Sequence, residues 1–235
     1  MSDRSPTAGR DAPSSSPLVS SPLASPPSPD LPFADPGLRR ATVEDVQRLR
    51  TVLAEAFFDD PMFGWLIPND TKRSARLRHY FGIELRHLAL PRGRVWTTED
   101  LAGAMLSLPP GRWRVPPHTT LLHGSAFGVR VAKAARVGAA MEWRHSRLLR
   151  EPHYYVRDIG VRPDAQGRGL GSALMRPTLD RCDKEGVPAY IEASNERSAA
   201  LYERLGFRHI KELRVGGSPP LWLMIRPPHP TLAVS

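Results

Sequence analysis

Gln166-Gly167-Arg168-Gly169-Leu170-Gly171-Ser172 is the stretch on which the reading of this 235-residue chain turns. It lies between the apolar run Tyr154–Val161, stopped by Pro163, and a helix-like run that continues to Gly186. Three glycines at alternate positions allow a tight turn and let a ligand approach the backbone closely. The first N–H groups of a helix lack intrahelical partners and carry partial positive charge, so such a start receives an anion. Arg168 adds a full charge. The Gly-Lys-Ser/Thr ending of a P-loop is missing, and the glycine spacing is not that of a dinucleotide fingerprint. Alone, the turn also reads as a plain strand–helix connection.

Working outward, the second half reads β-α-β-α-β-β. After the helix to Gly186 come a strand at Tyr190–Ala193 and a helix from about Glu196 to Gly206, a residue suited to a C-terminal cap. Phe207–Leu213 and Leu221–Ile225 read as closing strands. In the first half, Leu38–Ala41 reads as a short strand. A helix starts at Thr42, with Asp45 at capping-box spacing and Val46, Leu49, Leu53, Ala56 and Phe57 on one face. Asp60-Pro61 ends it. Leu77, Tyr80, Phe81, Leu85 and Leu88 form a second helical stripe ending near Pro91. Val95–Thr98 and Ala102–Leu108 flank a turn at Glu99-Asp100, and residues 119–150 read as helical and basic. The pattern predicts an α/β (α+β) class with a mixed sheet.

Composition sets bounds. Residues 1–36 hold nine Pro and nine Ser and a single aromatic, Phe33. Such a segment buries too little apolar surface to order itself, so a disordered tail is expected there. The whole chain carries +9 and the tail −2, which leaves +11 on the body. That charge implies an anionic partner or a solvated Arg-rich surface. One cysteine, Cys182, excludes a disulfide framework and reads as a packed thiol. The eight His show no HxxxH or HExxH spacing, so no metal is expected. Nothing approaches 18 consecutive apolar residues and no secretory leader is apparent, which implies a cytoplasmic protein without a membrane partner.

The pattern Gln166-x-x-Gly169-x-Gly171 resembles the pyrophosphate-binding signature of the GCN5-related N-acetyltransferase (GNAT) superfamily. Pro163, Asp164, Asn195 and Leu201-Tyr202-Glu203-Arg204-Leu205-Gly206-Phe207 resemble the same family. The likeness is specific over about 152–214, compatible over 38–151, and does not reach residues 1–36. Within the family, Val161-Arg162-Pro163-Asp164, Gly186-Val187-Pro188-Ala189 and Trp222-x-Met224 look most like puromycin N-acetyltransferase and its relatives. The resemblance implies the GNAT fold over 37–228, with a short tail at 229–235. That fold is a mixed, mostly antiparallel sheet, flanked by helices, whose fourth and fifth strands splay apart to admit acetyl-CoA. Backbone at Ile159, Gly160 and Val161 would meet the pantetheine arm. Gln166, Gly167, Arg168, Gly169, Leu170, Gly171 and Ser172 would hold the pyrophosphate, and Asn195 would touch the arm while capping its helix. The family is often dimeric, so a homodimer is an expectation. Pro177 sits inside the following helix, where a tolerated kink is expected.

The implied reaction is attack of a neutral amine on a thioester. An alkylammonium has a pKa of about 10.4 and must lose a proton first, while a leaving thiolate of pKa about 8.5 benefits from a donor. Tyr202 matches the family's donor and sits at the edge of the Leu201/Leu205 stripe. For the base, Glu192 lies on the fifth strand, on the face of Tyr190 and Ser194. Ribosomal-protein N-terminal acetyltransferases carry a Glu where this chain has Tyr190, and histone-acetylating members one where it has Tyr155. Glu192 is therefore read as base or amine-binding carboxylate, or as a structural carboxylate paired with Arg. Asp158 and a water relay are the alternatives. The acceptor is expected to be a small, antibiotic-like amine, with walls from about 57–70 and 109–150. A protein N-terminus or lysine is the alternative acceptor. A non-catalytic acyl-CoA or nucleic-acid binding module is the other reading, and nucleic acid is disfavoured.

Overall fold

The computed structural model describes residues 37–229; the expected tail at 1–36 and residues 230–235 of the expected short tail lie outside the described residues. Seven strands among them form one sheet in the order β1-β2-β3-β4-β5-β7-β6. They are β1 (Leu38–Arg40), β2 (Arg94–Thr98), β3 (Gly103–Leu108), β4 (Tyr154–Val161), β5 (Ala189–Ala193), β6 (Arg208–Leu213) and β7 (Leu221–Arg226). Every neighbouring pair is antiparallel except β4–β5. The last strand inserts between β5 and β6, an order that chain sequence alone does not dictate.

Helices cover both faces. Helix α1 (Val46–Ala56) begins after Thr42, whose backbone N–H donates to Asp45 Oδ2 at 2.8 Å. Asp60-Pro61 both ends this run and starts another, α2 (Pro61–Leu66), with Pro at its first position. Helix α3 (Asp70–Ile83) loosens into a π-helical stretch, Glu84–Ala89. The stretch expected as one basic helix divides at Gly128 (φ 56°), which only a glycine adopts readily. It becomes α4 (Pro117–Phe127) and α5 (Val131–Leu148). Helix α6 (Leu170–Glu185) accommodates Pro177 and stops at Gly186, in the left-handed region. Helix α7 is Glu196–Arg204.

Two apolar cores result. Leu49, Leu53, Leu77, Phe81, Leu85 and Leu88 pack on one sheet face with Tyr155 and Tyr190. Leu174, Met175, Leu179, Cys182 and Tyr202 pack on the other with Tyr154, Val156 and Ile191. The helical stripe read over 77–88 is this first core. Cys182 is fully buried, and burial pushes its thiol up to about 12, so it behaves as an apolar packing group.

A candidate active site where two strands part

Strands β4 and β5 pair at three positions only, Tyr154↔Ala189, Tyr155↔Tyr190 and Val156↔Ile191. Beyond them, β4 runs on for five residues with β3 alone as its partner. The Arg162 N–H reaches across to the Ala102 carbonyl at 2.8 Å. By strand alternation, the N–H groups of Ile159 and Val161 therefore point the other way, into the gap. Gly160 serves a different need. A Cβ there would lie 2.9 Å from Ala56 Cβ and 3.0 Å from Leu53 Cδ2, so its absence lets α1 lie close on β4.

The gap leads to the glycine turn. Gly167 and Gly169 hold φ of 79° and 78°, and Gly169 caps α6. Beyond its own chain neighbours, no atom lies within 4 Å of where a Gly167 side chain would begin, so the turn is open on its outer side. At Gly171 a Cβ would stand 3.2 Å from Leu201 Cδ2, so this glycine admits α7 against α6. The Gln166 side chain donates to the Val161 carbonyl at 2.9 Å and ties the turn to the strand. Arg168 is exposed and donates to the Asp164 carbonyl at 3.1 Å. A cavity beside the turn is lined by Thr98, Glu99, Asp100, Arg162, Asp164, Ala165, Arg168 and Leu170. Arg162 is paired with Asp164 at 2.6 Å, so the open N–H groups, the backbone cradle and Arg168 are what suit a pyrophosphate followed by an extended amide arm.

At the other end the gap is acidic. A register shift in the β3–β4 ladder, Leu106↔Asp158 then Ser107↔Val156, leaves Arg157 as an extra residue. Such a bulge changes the phase of alternation. Arg157 and Asp158 accordingly both lie on the face of Tyr155. Arg157 grips the fully buried Glu84 through Nε (2.8 Å) and Nη2 (2.5 Å). The Tyr80 hydroxyl donates to Glu84 Oε1 at 3.0 Å, and His123 Nε2 lies 3.2 Å from the same atom. Burial opposes ionisation of Glu84, but Arg157 overrides it and holds the carboxyl below its usual range.

Asp158 has no such relief. Its Oδ2 is buried without a hydrogen-bond partner, and burial followed by the Glu84 charge pushes its carboxyl up to about 8. Glu192 is raised by burial, against the opposing pull of the Tyr155 and Tyr190 hydroxyls. The structure thus brings Tyr190, Glu192 and Ser194 to one face. No Arg pairs directly with Glu192 among the described residues.

Tyr202 is buried, at 5% exposure, deeper than its helical neighbours Leu201 and Leu205. Burial, then Asp158 and Asp60, push its phenol well above the ordinary value. Asn195 caps α7, with its Oδ1 accepting the Ser198 N–H at 2.9 Å. Asp60, Glu84 and Arg157 were not read from sequence. Asp60-Pro61 carries a helix-start signal that its role as a stop concealed. Glu84 lies in an apolar run, and a bulge leaves no mark in residue types.

A family model described as Acetyltransferase (GNAT) family matches residues 111–207. An uncharacterized N-acetyltransferase of Schizosaccharomyces pombe is 27% identical over 210 residues, 81% of this chain and 83% of that protein. Mycothiol acetyltransferase of Streptomyces coelicolor is 46% identical over 52 residues, 21% of this chain and 17% of that protein. A solved structure from Corynebacterium glutamicum, described as histone acetyltransferase HPA2 and related acetyltransferase, superposes with a TM-score of 0.62. It is 26% identical, with 84% of this chain and 98% of that one covered. With the splayed strands and the glycine turn, the chain is similar in sequence and fold to the GCN5-related N-acetyltransferase (GNAT) superfamily, and these likenesses support an N-acetyltransferase.

Proposed function

We propose that the protein transfers acetyl from acetyl-CoA to the primary amine of a small cationic molecule by direct attack in a ternary complex. One observation carries this reading. The inward-facing N–H groups of β4 run towards Asp158 and Glu192, carboxyls that form no ion pair among the described residues, Arg157 being held by Glu84. Bound acetyl-CoA supplies the thioester. Its pyrophosphate would rest on Gly167–Ser172 with Arg168, and its arm along Ile159–Val161, with Asn195 at the mouth.

The proton inventory divides the two carboxyls. The charge of Glu192 is favoured by the Tyr155 hydroxyl and by Arg157, so it binds and orients the arriving ammonium. Asp158 has an unpartnered oxygen and a raised affinity for a proton, so it takes the proton that the ammonium must lose. The freed lone pair attacks the thioester carbonyl and the C–N bond forms. As the C–S bond breaks, the nitrogen's second surplus proton passes to the departing sulfur, which leaves as the CoA thiol, while the first proton leaves from the Asp158 carboxyl to solvent. Tyr202 faces the departing sulfur as a hydrogen-bond donor. Phe57, Phe63 and Tyr80 form an aromatic wall beside the acidic end, with Phe57 and Phe63 rings 5.8 Å apart and Phe63 and Tyr80 rings 5.3 Å apart. Such a wall suits the apolar body of an amine.

The test is thiol release from acetyl-CoA with a panel of aminonucleosides, diamines and a peptide with a free N-terminus. Small amines are expected to turn over and the peptide is not. Faster turnover of the peptide would reject the small-molecule reading. In the same assay, Asp158→Asn is expected to lower kcat/KM by about 10²-fold or more and to remove the acid limb of its pH profile. Glu192→Gln should chiefly raise KM for the amine. If the acid limb survives in Asp158→Asn and disappears in Glu192→Gln, the two roles are reversed.

A further inference from the structure

Asp60 belongs to no part of the proton inventory above, yet it is a buried carboxyl at the meeting of three elements. Its Oδ1 accepts the N–H groups of Met62 (2.9 Å) and Phe63 (3.1 Å), capping α2 on the acceptor side. Its Oδ2 accepts the Ser194 hydroxyl, 134 residues away at the end of β5. The Asn195 side chain stands beside it and acts in the same sense as Ser194. Asn195 in turn caps α7, the helix that carries Tyr202. A capping role alone needs only one oxygen. Here the second oxygen is spent across the cleft.

We propose that Asp60 is a positioning residue for acyl transfer, a clasp that locks the acceptor-side helix α2 to the β5–α7 junction. The inference rests on the transferase reading. Through Ser194 and Asn195, Asp60 fixes the start of α7 and so the place of Tyr202. Through Met62 and Phe63 it fixes the wall against which the amine lies. Errors of about 1 Å between two reactants cost roughly 10²-fold in rate, so a tie between these two sides acts on kcat. Its charge also faces Asp158, whose other charged neighbours are Glu84, Arg157 and Glu192, and it faces Tyr202.

Two substitutions in the full chain separate this from a local cap. Asp60→Asn keeps a capping acceptor of about equal quality and removes the charge. Ser194→Ala keeps the charge and removes the cross-cleft donor. Amide exchange over 61–66 and 195–204 is read alongside acetyl transfer as a function of pH. Ser194→Ala is expected to speed exchange in both segments and to lower kcat by roughly tenfold, with KM for the amine within about threefold. Asp60→Asn is expected to move the acid limb of kcat/KM to lower pH, because a like charge beside Asp158 is gone. The double variant should lose no more than the worse single one. Unaltered exchange over 61–66 in Ser194→Ala overturns the clasp, and a wild-type pH profile in Asp60→Asn overturns its electrostatic part. A wild-type protein that moves no acetyl group would instead reject the transferase reading, and the exchange result would still decide the clasp.

Discussion

A phenol buried beside Asp158 and Asp60 ionises less readily than one in water, chiefly because burial disfavours the phenolate and then because both neighbours repel it. For Tyr202 this has a mechanistic consequence. A leaving thiolate has a proton affinity near its ordinary pKa of about 8.5, below that of this hydroxyl. Complete transfer from Tyr202 to sulfur is therefore uphill. A strong hydrogen bond to the developing charge costs nothing comparable and is already oriented. Tyr202→Phe is expected to lower kcat by about 10²-fold, the usual loss for one such donor, and to leave the acetyl-CoA dissociation constant within about twofold. Turnover measured where chemistry limits the rate, with calorimetry for binding, checks both halves. Unchanged turnover would remove Tyr202 from the reaction. At this scale, residue types and motif spacing made Tyr202, Asn195 and the glycine turn legible. Asp158 was harder to see, because two-residue alternation puts it opposite Tyr155 until the bulge at Arg157 reverses the phase. Asp60 and Glu84 depend on partners 134 and 73 residues away, which no local pattern records.

Elements were legible where the chain punctuates itself. Pro163 stops β4, Gly186 ends α6, and the stripe Leu77-Phe81-Leu85-Leu88 marks the buried face of α3 and its extension. The break at Gly128 was missed, because a lone glycine in a helical run more often costs stability than ends the helix. The insertion of β7 between β5 and β6 was also hidden, since short antiparallel strands of similar composition pair in more than one order. What fixes that order is partly one side chain. Arg226, buried at the end of β7, donates from Nη1 and Nη2 to Asp183 on α6, each at 2.7 Å, and from Nε to the Leu205 carbonyl just past α7 at 3.0 Å. A planar fork makes these three bonds at once, and a lysine ammonium does not. Arg226→Lys keeps the charge but is expected to cost about 1–3 kcal/mol, a fall in Tm of roughly 3–10 °C. A Tm within about a degree of wild type would show that the clamp contributes little.

Across the whole molecule, charge is sorted rather than spread. The body reads as strongly basic, which suits the phosphates of a nucleotide co-substrate at Arg168 and the glycine turn. The carboxyls Asp60, Glu84, Asp158 and Glu192 gather at the opposite end of the same gap. Next to that acidic end lies a pair of groups the fold keeps uncharged. His153 Nδ1 donates to the Glu151 carbonyl at 2.7 Å, so its Nε2 is the acceptor for His145 Nε2–H at 2.6 Å. The His145 ring stacks on Trp113 at 4.1 Å and touches Tyr190, which faces Glu192. Burial and then His153 hold His145 down at about 3, and burial lowers His153 as well. Both imidazoles are therefore neutral when folded at pH values where an unfolded chain would protonate them. The stability this provides is complete above the unfolded pKa of about 6.5 and is lost as pH falls towards the folded value. For His145 alone, the loss between pH 7 and pH 5 is about 2 kcal/mol. His145→Phe keeps the stacking area and removes the titration. Its stability relative to wild type, followed by denaturant unfolding, should improve by about 2 kcal/mol over that interval, whatever the cost of the substitution at pH 7. Parallel acid curves for the two proteins would mean that His145 is protonated in the folded state, and the uncharged core behind Tyr190 would have to be abandoned.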